Sequence, residues 1–99
     1  MWGRSEYKLS ITLNKRKYTH VLIDQHYRLK HKELSDEIIL ELVKAINFEI
    51  LHVEERRGEF SYYIVVPVFF SARPYRLILV VCSGEDYLGV VNAFRVGRS

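Results

Sequence analysis

The order of apolar and polar residues along the chain predicts one helix followed by several strands. Residues 7–13 alternate between polar and apolar side chains, as a half-buried strand does. Residues 35–47 instead place apolar side chains three or four positions apart, which is the period of one face of a helix. After residue 47 the period changes to that of strands. Turn-forming residues then separate four predicted strands, at 48–54, 60–70, 75–82 and 87–96.

The predicted helix has residues at both ends that favour its boundaries. Ser35 is expected to be the N-cap, because its hydroxyl can accept a hydrogen bond from an amide in the first turn. Asp36 and Glu37 would follow at the positive end of the helix dipole, and Asn47 would end the helix. The predicted apolar stripe consists of Ile38, Ile39, Leu42, Val43 and Ile46.

These elements predict an α+β fold in a single domain spanning residues 1–99. The connections between strands are short and favour antiparallel neighbours, so residues 48–96 would form a four-stranded antiparallel meander behind the main helix. Residues 7–34 would form a basic leading segment, part strand and part strand or short helix, after a flexible tail at 1–6. Pro67 has no amide hydrogen and should lie at a bulge or an edge. The sheet face away from the helix would be partly open to a ligand.

The composition indicates a cytoplasmic protein. Hydrophobic residues make up 48% of the 99 residues, which is enough for one compact core. Cys82 is the single cysteine and cannot form an internal disulfide, which fits a reducing compartment. The amino terminus has no apolar stretch typical of a signal peptide. The longest apolar run, residues 62–70, is too short to span a membrane as a helix.

The net charge of +3 conceals a gradient along the chain. Residues 1–34 hold eight Lys or Arg and three acidic residues, whereas residues 35–60 hold three and seven. All four cations in residues 61–99 are arginines, whose planar guanidinium binds phosphate oxygens in pairs. This distribution favours a polyanion as partner, although ordinary solvated charge is the alternative interpretation.

Three of the four histidines, His20, His26 and His31, fall within residues 18–31. Imidazole can transfer protons near neutral pH. Cleavage of RNA by its own 2′-hydroxyl needs a base, an acid and cations that stabilise the charged phosphorane, and it requires no metal or other cofactor. The histidine spacings match no zinc pattern, so no metal site is predicted. The alternative is that each histidine is a surface or structural residue.

Two arginines interrupt otherwise apolar predicted strands. A charge on a strand costs free energy if it is buried unpaired, so Arg76 and Arg95 must reach water, an acid or a ligand. We therefore consider both as ligands of a phosphate, with a strand-end arginine exposed to solvent as the alternative. The candidate RNA contacts in the leading segment are Lys15, Arg16, Lys17, Arg28 and Lys30.

The order of elements resembles the barnase–EndoU–colicin–RelE-like nucleases, nearest to their phage- and toxin-associated members. The segment Tyr18-Thr19-His20-Val21 through His26 resembles their opening THV…H segment. The predicted last strand carries Asn92 and Arg95, which resembles their terminal strand with a polar residue and an arginine. The resemblance covers approximately residues 10–96.

This resemblance implies a RelE- or barnase-like fold and a metal-independent ribonuclease, often a toxin that a partner protein neutralises. It implies that His20 or His26 is the general base or acid and that Arg76 and Arg95 bind the scissile phosphate. Asn92 would take the position of the polar residue on the terminal strand, where Ser or Thr is more common in these nucleases.

The sequence therefore leads to three hypotheses. The first is an endoribonuclease, a toxin of a toxin–antitoxin, phage or contact-dependent system, with RNA and a cognate antitoxin or immunity protein as partners. The second is a non-catalytic RNA-binding or protein-interaction module of phage or bacterial origin, whose RNA binding would depend strongly on salt. The third is a structural homodimer paired through an exposed strand or through residues 60–70. No membrane partner is expected.

Overall fold

The computed structural model describes residues 3–97, in which six strands form one mixed sheet and one α-helix packs on it. The helix α1 is Asp36–Ala45, and a 3₁₀ turn at Gln25–Leu29 directly follows the second strand. The strands are β1 Arg4–Leu13, β2 Arg16–Asp24, β3 Glu55–Arg57, β4 Phe60–Phe70, β5 Arg73–Cys82 and β6 Tyr87–Arg95. Of the predicted tail, residues 1 and 2 lie outside the described residues, whereas residues 4–6 begin β1.

The sheet is not the predicted four-stranded antiparallel meander. Its strand order is β1-β2-β6-β5-β4-β3, and β2 pairs with β6 in parallel. The basic leading segment supplies two of the six strands, because Asn14 and Lys15 adopt positive φ angles of 52° and 65° and close a tight hairpin between β1 and β2. The α+β composition remains, but the leading segment belongs to the sheet and does not lie in front of it.

The segment 48–54 is also not a strand. Its backbone bonds to the end of the first hairpin, where Phe48 N donates to Thr12 O at 2.6 Å and Asn14 N donates to Glu49 O at 3.0 Å. The Asn14 side chain accepts from Leu51 N at 2.6 Å. These hydrogen bonds hold residues 48–51 against the end of the β1–β2 hairpin. The next strand is β3, which lies between the predicted strands 48–54 and 60–70, where the sequence predicts a turn.

The predicted helix and the last three strands are confirmed, with small shifts at their ends. Ser35 is the N-cap, and its Oγ accepts a hydrogen bond from Ile38 N at 3.2 Å. Pro67 lies where the register between β4 and β5 shifts, as its missing amide hydrogen predicts. The predicted stripe is buried except for Ile38, which is partly buried, and it packs on the inward-facing residues of the sheet, which include Val21, Ile23, Leu77, Leu79 and Val90.

The opposite sheet face is open. Along β5, the residues Tyr75, Leu77, Leu79 and Val81 are buried in the core, while the alternate residues Arg76, Ile78, Val80 and Cys82 are only partly buried. The last β2–β6 pair joins Ile23 to Val90. The 3₁₀ turn therefore continues beside the second half of β6, which brings the histidine-rich segment to this end of the sheet. Within residues 3–97, no helix is long and apolar enough to cross a membrane.

Replacing Leu42 with alanine should lower the free energy of unfolding by about 2–5 kcal/mol, because the fully buried side chain would leave a cavity between α1 and the sheet. Glu41→Ala is the matched control on the exposed side of the same helix, where the carboxylate lies 3.2 Å from Lys44 Nζ. Its effect should be about 1 kcal/mol or less. Urea titration measures both values, and equal stabilities for the two variants would contradict this packing.

Candidate functional site

A small pocket of about 90 Å³ opens where the 3₁₀ turn passes β6. His26, Tyr27, Lys30, His31 and Asn92 line it. Two imidazoles, an ammonium group and a side-chain amide therefore converge from two segments that are about sixty residues apart in the sequence. Four of these five residues are among those that the sequence predicted as functional.

Local hydrogen bonds fix the turn that carries the histidines. Asp24 is its N-cap, and its Oδ1 accepts from His26 N at 2.9 Å. At the other end, Tyr27 O accepts from Lys30 N at 3.2 Å and from His31 N at 2.9 Å. The backbone positions of both histidines are therefore set by the end of β2 and by Tyr27.

The Phe94 ring connects His31 to Arg76. Its centroid lies 5.2 Å from that of the His31 ring, and the two planes differ by 25°. The Arg76 guanidinium carbon lies 5.9 Å from the centroid of the Phe94 ring. Arg76 and Phe94 are this close because they are cross-strand partners on the open face. Within the described part of the chain, Arg76 Nε is buried without a hydrogen-bond partner. Arg76 does not line the histidine pocket, but it contacts the same Phe94 ring as His31 and has a donor that no protein group uses.

A buried carboxylate supports the turn from the helix side. Asp36 is 8% exposed and accepts hydrogen bonds from the phenols of Tyr7 at 2.5 Å and Tyr27 at 2.6 Å. Gln25 Nε2 donates to it at 3.1 Å, and Arg28 Nη2 lies 3.3 Å away. The carboxylate therefore joins β1, the 3₁₀ turn and the first residue of α1.

These contacts determine the charge of the cluster. Burial alone would raise the pKa of Asp36, but hydrogen bonds from Tyr27, Tyr7 and Gln25, with the charge of Arg28, outweigh it and hold the pKa below the ordinary 3.8. Burial and the bond to Asp36 raise the pKa of the Tyr27 phenol far above its ordinary range. The bond to Asp36 is the main cause that raises the pKa of Tyr7. At neutral pH the carboxylate is ionised and both phenols are neutral donors.

His20 and Arg95 lie outside this pocket. His20 is four residues before Asp24 on β2, roughly 13 Å along the strand. Its Nε2 lies 3.7 Å from the carboxylate of Glu6, and Thr19 Oγ1 lies 2.9 Å from its Nδ1. Arg95 is exposed and follows Phe94, so its side chain leaves the strand on the opposite side.

The basic residues of the first hairpin lie at the other end of the sheet. Lys15 is in the hairpin turn, and Lys17 pairs with Thr12 on β1. Arg16 Nη2 donates to Glu85 O at 2.5 Å. Arg28 is near the histidines, but it contacts Asp36 and donates through Nε to Gln25 Oε1 at 2.5 Å. The structure therefore brings together Lys30 and Asn92 from the predicted RNA contacts and does not bring in the others.

Four residues of the site were missed in the sequence: Tyr27, Glu33, Asp36 and Phe94. Glu33 Oε2 lies 3.9 Å from His31 Nδ1 and accepts from Arg95 N at 3.4 Å. Asp36 was interpreted only as a residue favourable to the helix dipole, because nothing in the sequence pairs it with Tyr7, 29 residues away. The signal for Phe94 was its spacing from Asn92, because residues two apart on a strand share a face.

Comparison with known proteins found no matching family model, no matching curated protein and no matching solved structure. Within residues 3–97, no group of three or more His, Cys, Asp or Glu side chains is arranged to hold a metal ion.

Asp36→Asn should lower the free energy of unfolding at pH 7 by about 1–3 kcal/mol. Tyr7 and Tyr27 donate to different carboxylate oxygens, of which the amide keeps only one, and the charge that faces Arg28 is lost. The stabilisation from an acid with a depressed pKa is present above its unfolded pKa and is lost as the pH falls through the folded one. The difference between the wild type and the variant should therefore narrow below about pH 4.

Denaturant titrations of both proteins between neutral and acidic pH measure this difference. The other carboxyl groups titrate in both proteins and cancel in the comparison. A difference that stays constant down to the most acidic measurable pH would contradict an ionised, hydrogen-bonded Asp36.

Proposed function

We propose that this protein is a metal-independent endoribonuclease that cleaves RNA by attack of the 2′-hydroxyl on the adjacent phosphate. The observation that carries the proposal is the meeting of His26, His31, Lys30 and Asn92 in one pocket at the end of the open sheet face. Arg76 adds a second cation through the shared Phe94 ring. These are the chemical groups that the reaction requires.

In the proposed reaction, one imidazole removes the proton of the 2′-hydroxyl as its oxygen bonds to phosphorus. The other imidazole gives a proton to the 5′-oxygen as the bond from phosphorus to that oxygen breaks. The products are a 2′,3′-cyclic phosphate and a 5′-hydroxyl. Lys30 and Arg76 would stabilise the extra negative charge on the phosphorane, and Asn92 would donate a hydrogen bond to a phosphate oxygen.

Glu33 and Phe94 would act as positioning residues. The Glu33 carboxylate faces Nδ1 of His31, which leaves Nε2 as the nitrogen for the substrate. Stacking on Phe94 restricts the rotation of the same ring. The side chain of His31 is therefore oriented before RNA binds, which removes part of the entropic cost of reaching the transition state.

The test is cleavage of a labelled RNA in the presence of EDTA, with analysis of the product ends. We expect a 2′,3′-cyclic phosphate from the wild type, and His26→Ala and His31→Ala should each lower kcat/KM by about 10²–10⁴-fold, as the loss of a general acid or base does. His20→Ala is the matched control, because it removes an imidazole that lies beside Glu6 and outside the pocket. Its rate should stay close to that of the wild type.

Three results would contradict the proposal: intact RNA at micromolar protein, cleavage that strictly requires a divalent metal, or an equal loss of rate in His20→Ala and His26→Ala. Salt-dependent RNA binding without cleavage would instead support the binding-module hypothesis.

A further inference from the structure

A second and larger pocket of about 330 Å³ lies on the open sheet face. Phe60 and Tyr62 from β4 and Tyr87 from β6 supply aromatic side chains around it. Arg4 and Asp24, which are cross-strand partners, supply charged groups at the edge nearest the 3₁₀ turn. The pocket thus combines apolar rings with a few polar groups on one side, as small-molecule binding sites do.

The floor of this pocket is low because β6 carries a glycine, Gly89, near its start. A Cβ at Gly89 would lie 2.8 Å from Val80 Cγ1 on the neighbouring strand. The Val80 side chain therefore extends across the glycine and forms a shallow apolar floor. Tyr62 is the register partner of Val80, and Tyr87 Cε1 would lie 4.0 Å from a Cβ at Gly89, so both tyrosines border that floor.

Asp24 connects this pocket to the histidine pocket. Asp24 is one of the residues that line the larger pocket, and its Oδ1 accepts from His26 N at 2.9 Å. A phosphodiester bound at the histidines would therefore have its neighbouring nucleotide at the edge of the larger pocket. The two pockets follow one another along the same face of the sheet.

We infer that the larger pocket holds one unpaired nucleobase of the RNA substrate, next to the scissile phosphate. This inference rests on the proposed ribonuclease function and adds a base subsite to it. The base stacks on Tyr62 or Tyr87, since every base has a π-face that an aromatic ring can contact. The Asp24 carboxylate accepts a hydrogen bond from an amino group on the base edge, which adenine, cytosine and guanine carry and uracil lacks.

The test measures binding separately from cleavage. The probes are uniformly 2′-O-methylated oligonucleotides, which lack the attacking hydroxyl and stay intact, with or without abasic sites at successive positions. The wild type should bind the complete oligonucleotide roughly 5- to 100-fold more tightly than the one abasic at the position that enters the pocket. Tyr62→Ala or Tyr87→Ala should remove most of this difference, whereas the corresponding phenylalanine variants should retain it.

Phe69→Ala is the matched control, because Phe69 is an exposed aromatic residue of β4 that does not line the pocket.

Asp24→Asn keeps a side-chain oxygen that can cap the 3₁₀ turn. This variant should reduce the preference for a base with an amino group over uracil at the position where an abasic site weakens binding.

Equal affinity of the wild type for complete and abasic oligonucleotides at every position would overturn the base subsite, even if ordinary RNA is cleaved. So would an equal loss in Phe69→Ala and Tyr87→Ala. Base-dependent binding that requires Tyr62 or Tyr87, without cleavage of ordinary RNA, would instead retain the subsite and reject the nuclease mechanism. If an alanine variant does not fold, the wild-type comparison and the phenylalanine variants still decide the question.

Discussion

The hydrogen-bonded carboxylate of Asp36 is the interaction on which the arrangement of the histidine segment depends. It joins a phenol from β1, three residues of the 3₁₀ turn and the start of α1 in one cluster. An isolated buried charge would be costly, but three donors and a nearby guanidinium compensate this one. The turn between β2 and α1 is thereby held on both sides, and the rings of His26 and His31 extend from a fixed backbone.

The parallel pairing of β2 with β6 determines which residues meet at the site. β2 ends beside the middle of β6, so the chain that leaves β2 passes the remaining residues of β6. If β2 ran antiparallel to β6, the 3₁₀ turn that follows β2 would lie at the opposite end of β6. The proposed proton-transfer groups and the cation on β5 are therefore neighbours because of strand direction, and the aromatic pocket follows them along the same face.

Local signals in the sequence were sufficient for α1 and for β4 to β6, whereas long-range pairing was not visible. The Ser35 cap and the apolar stripe of α1 depend only on residues within about three helical turns of one another, so a local pattern specifies them. The parallel pair requires contacts between residues near 20 and near 90, and no local pattern specifies them. Val91 illustrates a second limit: it is inserted as a bulge, so Val90 faces the core while Asn92 and Phe94 share the open face, against strict alternation. The proximity of His20, His26 and His31 in the sequence was visible. The sequence did not show that His26 and His31, and not His20, would line one pocket.

The central position of β6 has a consequence for the order of folding. Among the described strands, β6 comes last in sequence, yet it lies between β2 and β5 in the sheet. Without it, the hairpin of β1 and β2 has no strand partner in the unit of β3, β4 and β5. Each of those units contains short connections, whereas their union in one continuous sheet requires β6 and the closure of a long loop. The histidine pocket exists only after that union, because Asn92 forms one of its walls. A nascent or partly unfolded chain would therefore lack the pocket even where its histidine turn had already formed.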